Sequence, residues 1–125
     1  MLTVGRFGTR DLERAKPFYD GIAEILGAQR ITDTPKVIGY RGVEGGLFLV
    51  GYPFEGEAIA GNGTQLGFWV NNRRIVDALY ARAIELGGTS EGAPGPRGPE
   101  EHCLYAAYFR DLDGNKLNVT TTAKD

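Results

Sequence analysis

The chain repeats itself. Slid along by about 61 residues, Phe7 falls on Phe68, Tyr19 on Tyr80 and Gly27 on Gly88. Phe18-Tyr19 followed by Ile25-Leu26-Gly27 is echoed by Leu79-Tyr80 followed by Leu86-Gly87-Gly88. A duplication of this size restricts the fold to two like supersecondary units, neither able to bury its apolar face alone. Single matches of common residues also arise by chance. Here strand, helix and turn signals repeat in the same order, which favours duplication.

Unit one spans roughly residues 1–60 and unit two roughly 61–125 of a single domain. Leu2 to Gly8 alternates as a strand does, and Asp11 suits a helix N-cap. Leu12, Ala15, Phe18/Tyr19, Ile22 and Ile25/Leu26 then recur at helical spacing, with Pro17 inside the run and Gly27 as its stop. Ala28 to Ile31, Val37 to Arg41 and Leu47 to Tyr52 read as strands. Pro53 to Gly63 is a polar, glycine-bearing connection. Unit two repeats the order: a strand over Thr64 to Val70, an Asn71-Asn72 cap, and a stripe of Ile75, Val76, Leu79, Ala83 and Leu86 ended by Gly87-Gly88. Ser90 to Glu101 contains Ala93-Pro94-Gly95-Pro96, which excludes a regular strand throughout. Leu104 to Arg110 and Leu117 to Thr121 supply a last hairpin. The expected architecture is α+β: tandem βαβββ units, helices on one face of a curved mixed sheet and a concave cup on the other. Such a cup suits a small molecule.

The hairpin turn Asp111-Leu112-Asp113-Gly114-Asn115, entered by Tyr108-Phe109-Arg110 and left by Lys116-Leu117-Asn118, resembles the closing hairpin of the vicinal oxygen chelate superfamily. That superfamily holds glyoxalases, bleomycin-resistance proteins and extradiol dioxygenases. Arg10-Asp11-Leu12-Glu13-Arg14-Ala15-Lys16-Pro17-Phe18-Tyr19 is similar to its first helix. Gly61-Asn62-Gly63-Thr64, Glu91 to Arg97 and Tyr105 to Tyr108 resemble a bacterial single-domain subgroup. The resemblance spans nearly the whole chain and implies the superfamily's fold.

Metal-dependent members hold their ion with four cup residues, typically His, Glu, His and Glu. Carried over by resemblance, those positions are Val4, Leu49, Gln65 and Asn118. Two hydrocarbons and two amides make a poor cage for a divalent ion. No metal and no other cofactor is therefore expected. His102 is the only histidine, and it adjoins the only cysteine, Cys103. Neighbours in an extended segment point to opposite faces, which argues against a catalytic pair and for a surface His beside a half-buried Cys.

Strand alternation sorts the remaining side chains. With Val4, Gln65 and Asn118 facing the cup, Arg6, Gly67, Trp69, Lys116 and Thr120 face it too. Phe7, Leu66, Phe68, Val70, Leu117 and Val119 then face the helices. Gln65, Asn118, Trp69, Arg6 and Tyr108 are the candidate ligand contacts: amides for hydrogen bonds, an indole for stacking, a guanidinium for an anion and a phenol. Strand-end solvation of Arg6 and Lys116, a dimer-interface role for Trp69 and a core role for Tyr108 stand as the alternatives.

Net charge is −2, with Lys and Arg scattered, so nucleic acid and anionic membranes are not expected partners. No apolar run reaches the ~18 residues needed to span a bilayer, and no leader pattern opens the chain, so a cytoplasmic location is expected. The expected function is binding of a small organic molecule in the cup. A lyase or isomerase with a diverged or metal-free site is the alternative, and whether any reaction is catalysed stays open. The resemblance further implies a homodimer.

Overall fold

The computed structural model describes residues 1–125. Unit one runs β1 (Val4–Gly8), α1 (Leu12–Leu26), β2 (Gln29–Asp33), β3 (Val37–Arg41) and β4 (Leu47–Gly51). Unit two runs β5 (Gln65–Trp69), α2 (Arg73–Glu85), β6 (Thr89–Pro96), β7 (Tyr105–Arg110) and β8 (Lys116–Thr121). The strands form two four-stranded sheets, β1-β4-β3-β2 and β5-β8-β7-β6. In each sheet the first pair is parallel and the others antiparallel. The expected curved sheet is thus two sheets whose terminal strands, β1 and β5, come together. At the seam an added Cβ on Gly5 would stand 3.1 Å from Leu66 Cδ1.

The register carries the repeat. Arg6 pairs with Leu49 just as Gly67 pairs with Asn118, and Val4 with Leu47 as Gln65 with Lys116. Leu49 and Asn118 therefore hold equivalent places, as do Val4 and Gln65.

Local signals explain both helices. The Asp11 side chain accepts from Arg14 N, and Gly27 closes α1 in the left-handed region at φ 68°. Pro17 removes one helical donor without ending the helix, and the exposed Glu13 carbonyl it deprives can turn to water. Asn72 caps α2 by accepting from Ile75 N at 3.0 Å. Leu12, Phe18, Tyr19 and Ile22 of α1 and Val76, Leu79 and Ala83 of α2 are buried against Phe7, Val50, Phe109, Leu117 and Val119 of the sheets. Gly21 lets the helices touch, since a Cβ there would run into Leu86, and Arg82 Nη1 donates to its carbonyl at 3.2 Å.

β6 extends further than its prolines suggest. It pairs with β7 through two register irregularities, between Ser90 and Gly92 and between Gly92 and Gly95. It is an edge strand, where proline can leave a ladder bond unmade toward solvent. The loop beyond contains a one-turn 3-10 helix, Glu100–His102, and Cys103 follows in a left-handed conformation at φ 53°.

The closing turn ties the two units together. Asp111 Oδ1 accepts from Asp113 N and Asn115 N, both at 2.9 Å, as a self-satisfied turn should. Asp111 Oδ2 accepts from Asn115 Nδ2 at 2.9 Å and from the Tyr19 hydroxyl on α1. Asn115 Nδ2 also donates to Gly8 O at 2.9 Å, while Asp113 accepts from Arg10 N at 2.9 Å and from the Thr9 hydroxyl. Asp111 and Asn115 are buried, so these bonds form away from water.

Candidate functional site

The face turned away from the helices is set by alternation along β1, β5 and β8. Phe7, Leu117 and Val119 are buried on the helix side, while Arg6, Gln65 and Trp69 are exposed and Lys116, Asn118 and Thr120 half-buried on the other. The division read from sequence holds at each of these positions.

Asn118 lies across its neighbour in β5. A Cβ on Gly67 would come within 2.5 Å of Asn118 Oδ1 and 2.9 Å of its Nδ2, so only glycine leaves the amide room. Asn118 Oδ1 accepts from the Thr120 hydroxyl at 2.9 Å, while the amide nitrogen has no protein hydrogen-bond partner. Tyr108 pairs with Asn118 on the other side, and its ring lies between two cations. Arg97 Cζ is 5.5 Å from the ring centroid and Lys116 Nζ 5.7 Å.

Hydrogen bonding separates occupied groups from free ones. Arg97 folds back onto β6, donating to Ala93 O at 2.6 Å and Pro96 O at 3.1 Å, so it caps its own strand. Arg110 is paired with Glu91, and that guanidinium holds the Glu91 carboxyl below the usual range. The Tyr105 hydroxyl donates to Asp77 at 2.7 Å, and this bond raises its pKa. The Tyr108 hydroxyl, Lys116 ammonium, Gln65 amide and Trp69 indole have no partner in the chain. Arg6 donates to Tyr52 O at 2.8 Å and forms no ion pair, leaving further N–H groups available.

Two hollows open here. One of about 260 Å³ is polar and is bounded by Arg6, Thr64, Asn115 and Lys116 with Ile59 and Gly61. The other, about 440 Å³ and mostly apolar, lies at the seam. It is lined by α1, the start of β1, β4 and both faces of β5. This hollow runs beneath α1 and reaches Gln65 and Trp69 at the edge of the open face, a feature absent from the sequence reading. His102 and Cys103 form no side-chain hydrogen bond with each other, stand on the β6–β7 loop and line neither hollow.

The family model for the Glyoxalase/Bleomycin resistance protein/Dioxygenase superfamily matches residues 4–119. The chain belongs to this superfamily. A glyoxalase/bleomycin resistance protein from Albidiferax ferrireducens T118 shares 36% identity over 97% of this chain and 98% of its own, with a TM-score of 0.89. A superfamily enzyme from Burkholderia phytofirmans PsJN is 21% identical over 97% and 98%, with a TM-score of 0.71. A lactoylglutathione lyase from Agrobacterium tumefaciens is 19% identical over 97% and 92%, with a TM-score of 0.69. The last two show likeness of fold alone. A search of curated proteins returns no match.

Within this glyoxalase-like fold the residues do not fit the metal that many members use. Val4 and Leu49 offer hydrocarbon, and Gln65 and Asn118 offer neutral amides. Nowhere do three or more His, Cys, Asp or Glu side chains gather. A divalent ion would lose its water shell without gaining anionic or imidazole ligands. No helix is long and apolar enough to cross a membrane.

Proposed function

We infer that this superfamily member binds a small organic anion on the open face of its sheets, using side chains where relatives use a metal. The anionic group sits in the polar hollow between Arg6 and Lys116, and an aromatic or planar body extends over Asn118 and Tyr108 toward Trp69. What carries this reading is the hollow of about 260 Å³ bounded by two cations that form no ion pair. It adjoins a strip of groups with free hydrogen-bonding capacity. Two cations beside neutral amides favour a carboxylate or phosphate over a neutral molecule.

Titration calorimetry with benzoate and phenylphosphonate, in EDTA, tests it. Saturable binding is expected, weakened at least tenfold by Lys116→Ala and by Arg6→Ala, and weakened by salt. Benzyl alcohol, neutral and similar in shape, should bind far less well. If neither anion binds, or if Lys116→Ala binds both unchanged, the reading is wrong.

A further inference from the structure

We propose that the seam hollow beneath α1 is a second binding site, distinct from the polar hollow at Arg6 and Lys116 though it shares Gln65 and Trp69 with the open face, and that it takes a small uncharged apolar molecule such as an unsubstituted or amine-bearing polycyclic aromatic.

Its position follows from the two-unit construction. β1 and β5 are the terminal strands of their sheets and touch near Gly5 and Leu66 without joining one ladder. Helix α1 walls one side of the hollow with Tyr19, Ile22, Ala23, Ile25 and Leu26, and the side chains beneath it do not fill the space. Phe48, Leu66 and Phe68 pack against the core yet remain only partly buried. Phe48 stands edge-on to Phe68 with ring centroids 5.3 Å apart, leaving aromatic edges and faces as wall.

Depth argues for a small molecule over a protein surface. The hollow reaches Ile22 and Ala23, which are 1% and 6% exposed on the inner side of α1. A flat partner face would not fill such a recess. Its volume of about 440 Å³ suits a molecule of two to four rings.

Charge argues for an uncharged occupant. No Lys, Arg or His lines the hollow, and its one ionisable carboxylate, Glu44, is exposed at the mouth. The two tyrosines in the wall have hydroxyls already engaged, Tyr19 with Asp111 and Tyr40 with Asp20. They contribute ring surface and no free donor. An anion here would be desolvated with no cation to meet it. The seam hollow and the open face therefore prefer opposite ligands.

N-phenyl-1-naphthylamine, neutral and fluorescent in apolar surroundings, is the probe. Trp69, the only tryptophan, lines the same hollow and serves as energy donor. Saturable one-to-one binding with quenching of Trp69 emission is expected. Ala28→Leu adds volume at a half-buried wall position and Ala23→Leu does so at a deeper one; each should weaken binding at least tenfold. Using both guards against one failing to fold, with circular dichroism melts to show which variants are native. Lys116→Ala should bind the probe unchanged, and the anionic analogue 8-anilino-1-naphthalenesulfonate, at equal concentration, should not displace the bound probe. Absence of saturable binding, unaltered affinity in both natively folded filled variants, or loss of affinity in Lys116→Ala would each overturn the proposal.

Discussion

Raising the pH above 10 should destabilise this protein through two buried tyrosines. Tyr19 and Tyr40 are 2% and 4% exposed, and their hydroxyls donate to Asp111 and Asp20. Burial raises both above the usual phenol value, and each neighbouring carboxylate adds to the rise. A group with a raised folded pKa contributes stability that is fully present below its unfolded value. That stability is lost as pH climbs beyond it. Unfolded tyrosine ionises near pH 10, so the window opens there. At pH 11 each tyrosine kept neutral by the fold costs about 1.4 kcal/mol relative to pH 8, irrespective of how high its folded value lies. The pair together therefore cost about 3 kcal/mol. Against a total stability of about 5 to 15 kcal/mol this is large. The urea midpoint should fall by roughly 1 to 2 M between pH 8 and pH 11. Tyr19→Phe should cost about 1 to 2 kcal/mol at pH 8, because Asp111 loses a donor, yet roughly halve the alkaline loss. Equal alkaline losses in wild type and Tyr19→Phe would refute the reasoning. So would a phenolate absorbance titration in which all six tyrosines of the folded protein ionise near pH 10.

Three further outcomes follow from the geometry. Asp111→Ala strands the Tyr19 hydroxyl, the Asn115 amide and two backbone N–H groups in a buried site, and should cost about 3 to 5 kcal/mol in urea unfolding. Gly67→Ala forces the Asn118 amide aside; a loss of about 1 to 3 kcal/mol and weakened benzoate binding by calorimetry are expected together. Exposure to Ni²⁺, Zn²⁺ or Mn²⁺ should leave the melting temperature unmoved, whereas a site filled at a hundred times its dissociation constant would add about 2.7 kcal/mol.

The fold was legible in the sequence because its signals are local. Asp11, Gly27 and Asn72 mark helix ends by their own hydrogen bonds and backbone angles. The alternation through β1, β5 and β8 sorts faces without knowledge of neighbours. β6 was less legible, since whether Pro94 and Pro96 can sit in a strand depends on its being an edge. Three features lay beyond a local reading because each brings together residues far apart in the chain. The Tyr19–Asp111 bond joins residues 92 positions apart. The tie from Arg6 to Tyr52 O joins residues 46 apart. The seam hollow exists only once α1, β1, β4 and β5 are brought together. Sequence alternation placed Arg6, Gln65, Trp69, Tyr108 and Asn118 among the cup candidates, but not which of them retain free donors.

The equivalent placement of Leu49 and Asn118, and of Val4 and Gln65, has a consequence for any guest on the open face. The backbone there is nearly twofold, so a metal with like ligands in each half could receive a molecule either way round. In this chain one half presents hydrocarbon and the other amide. A guest turned end for end would lay its body against Val4 and Leu49 and lose the amides of Gln65 and Asn118. The doubled scaffold thus dictates a single direction of entry, and a chiral or two-ended molecule would be read in one sense only.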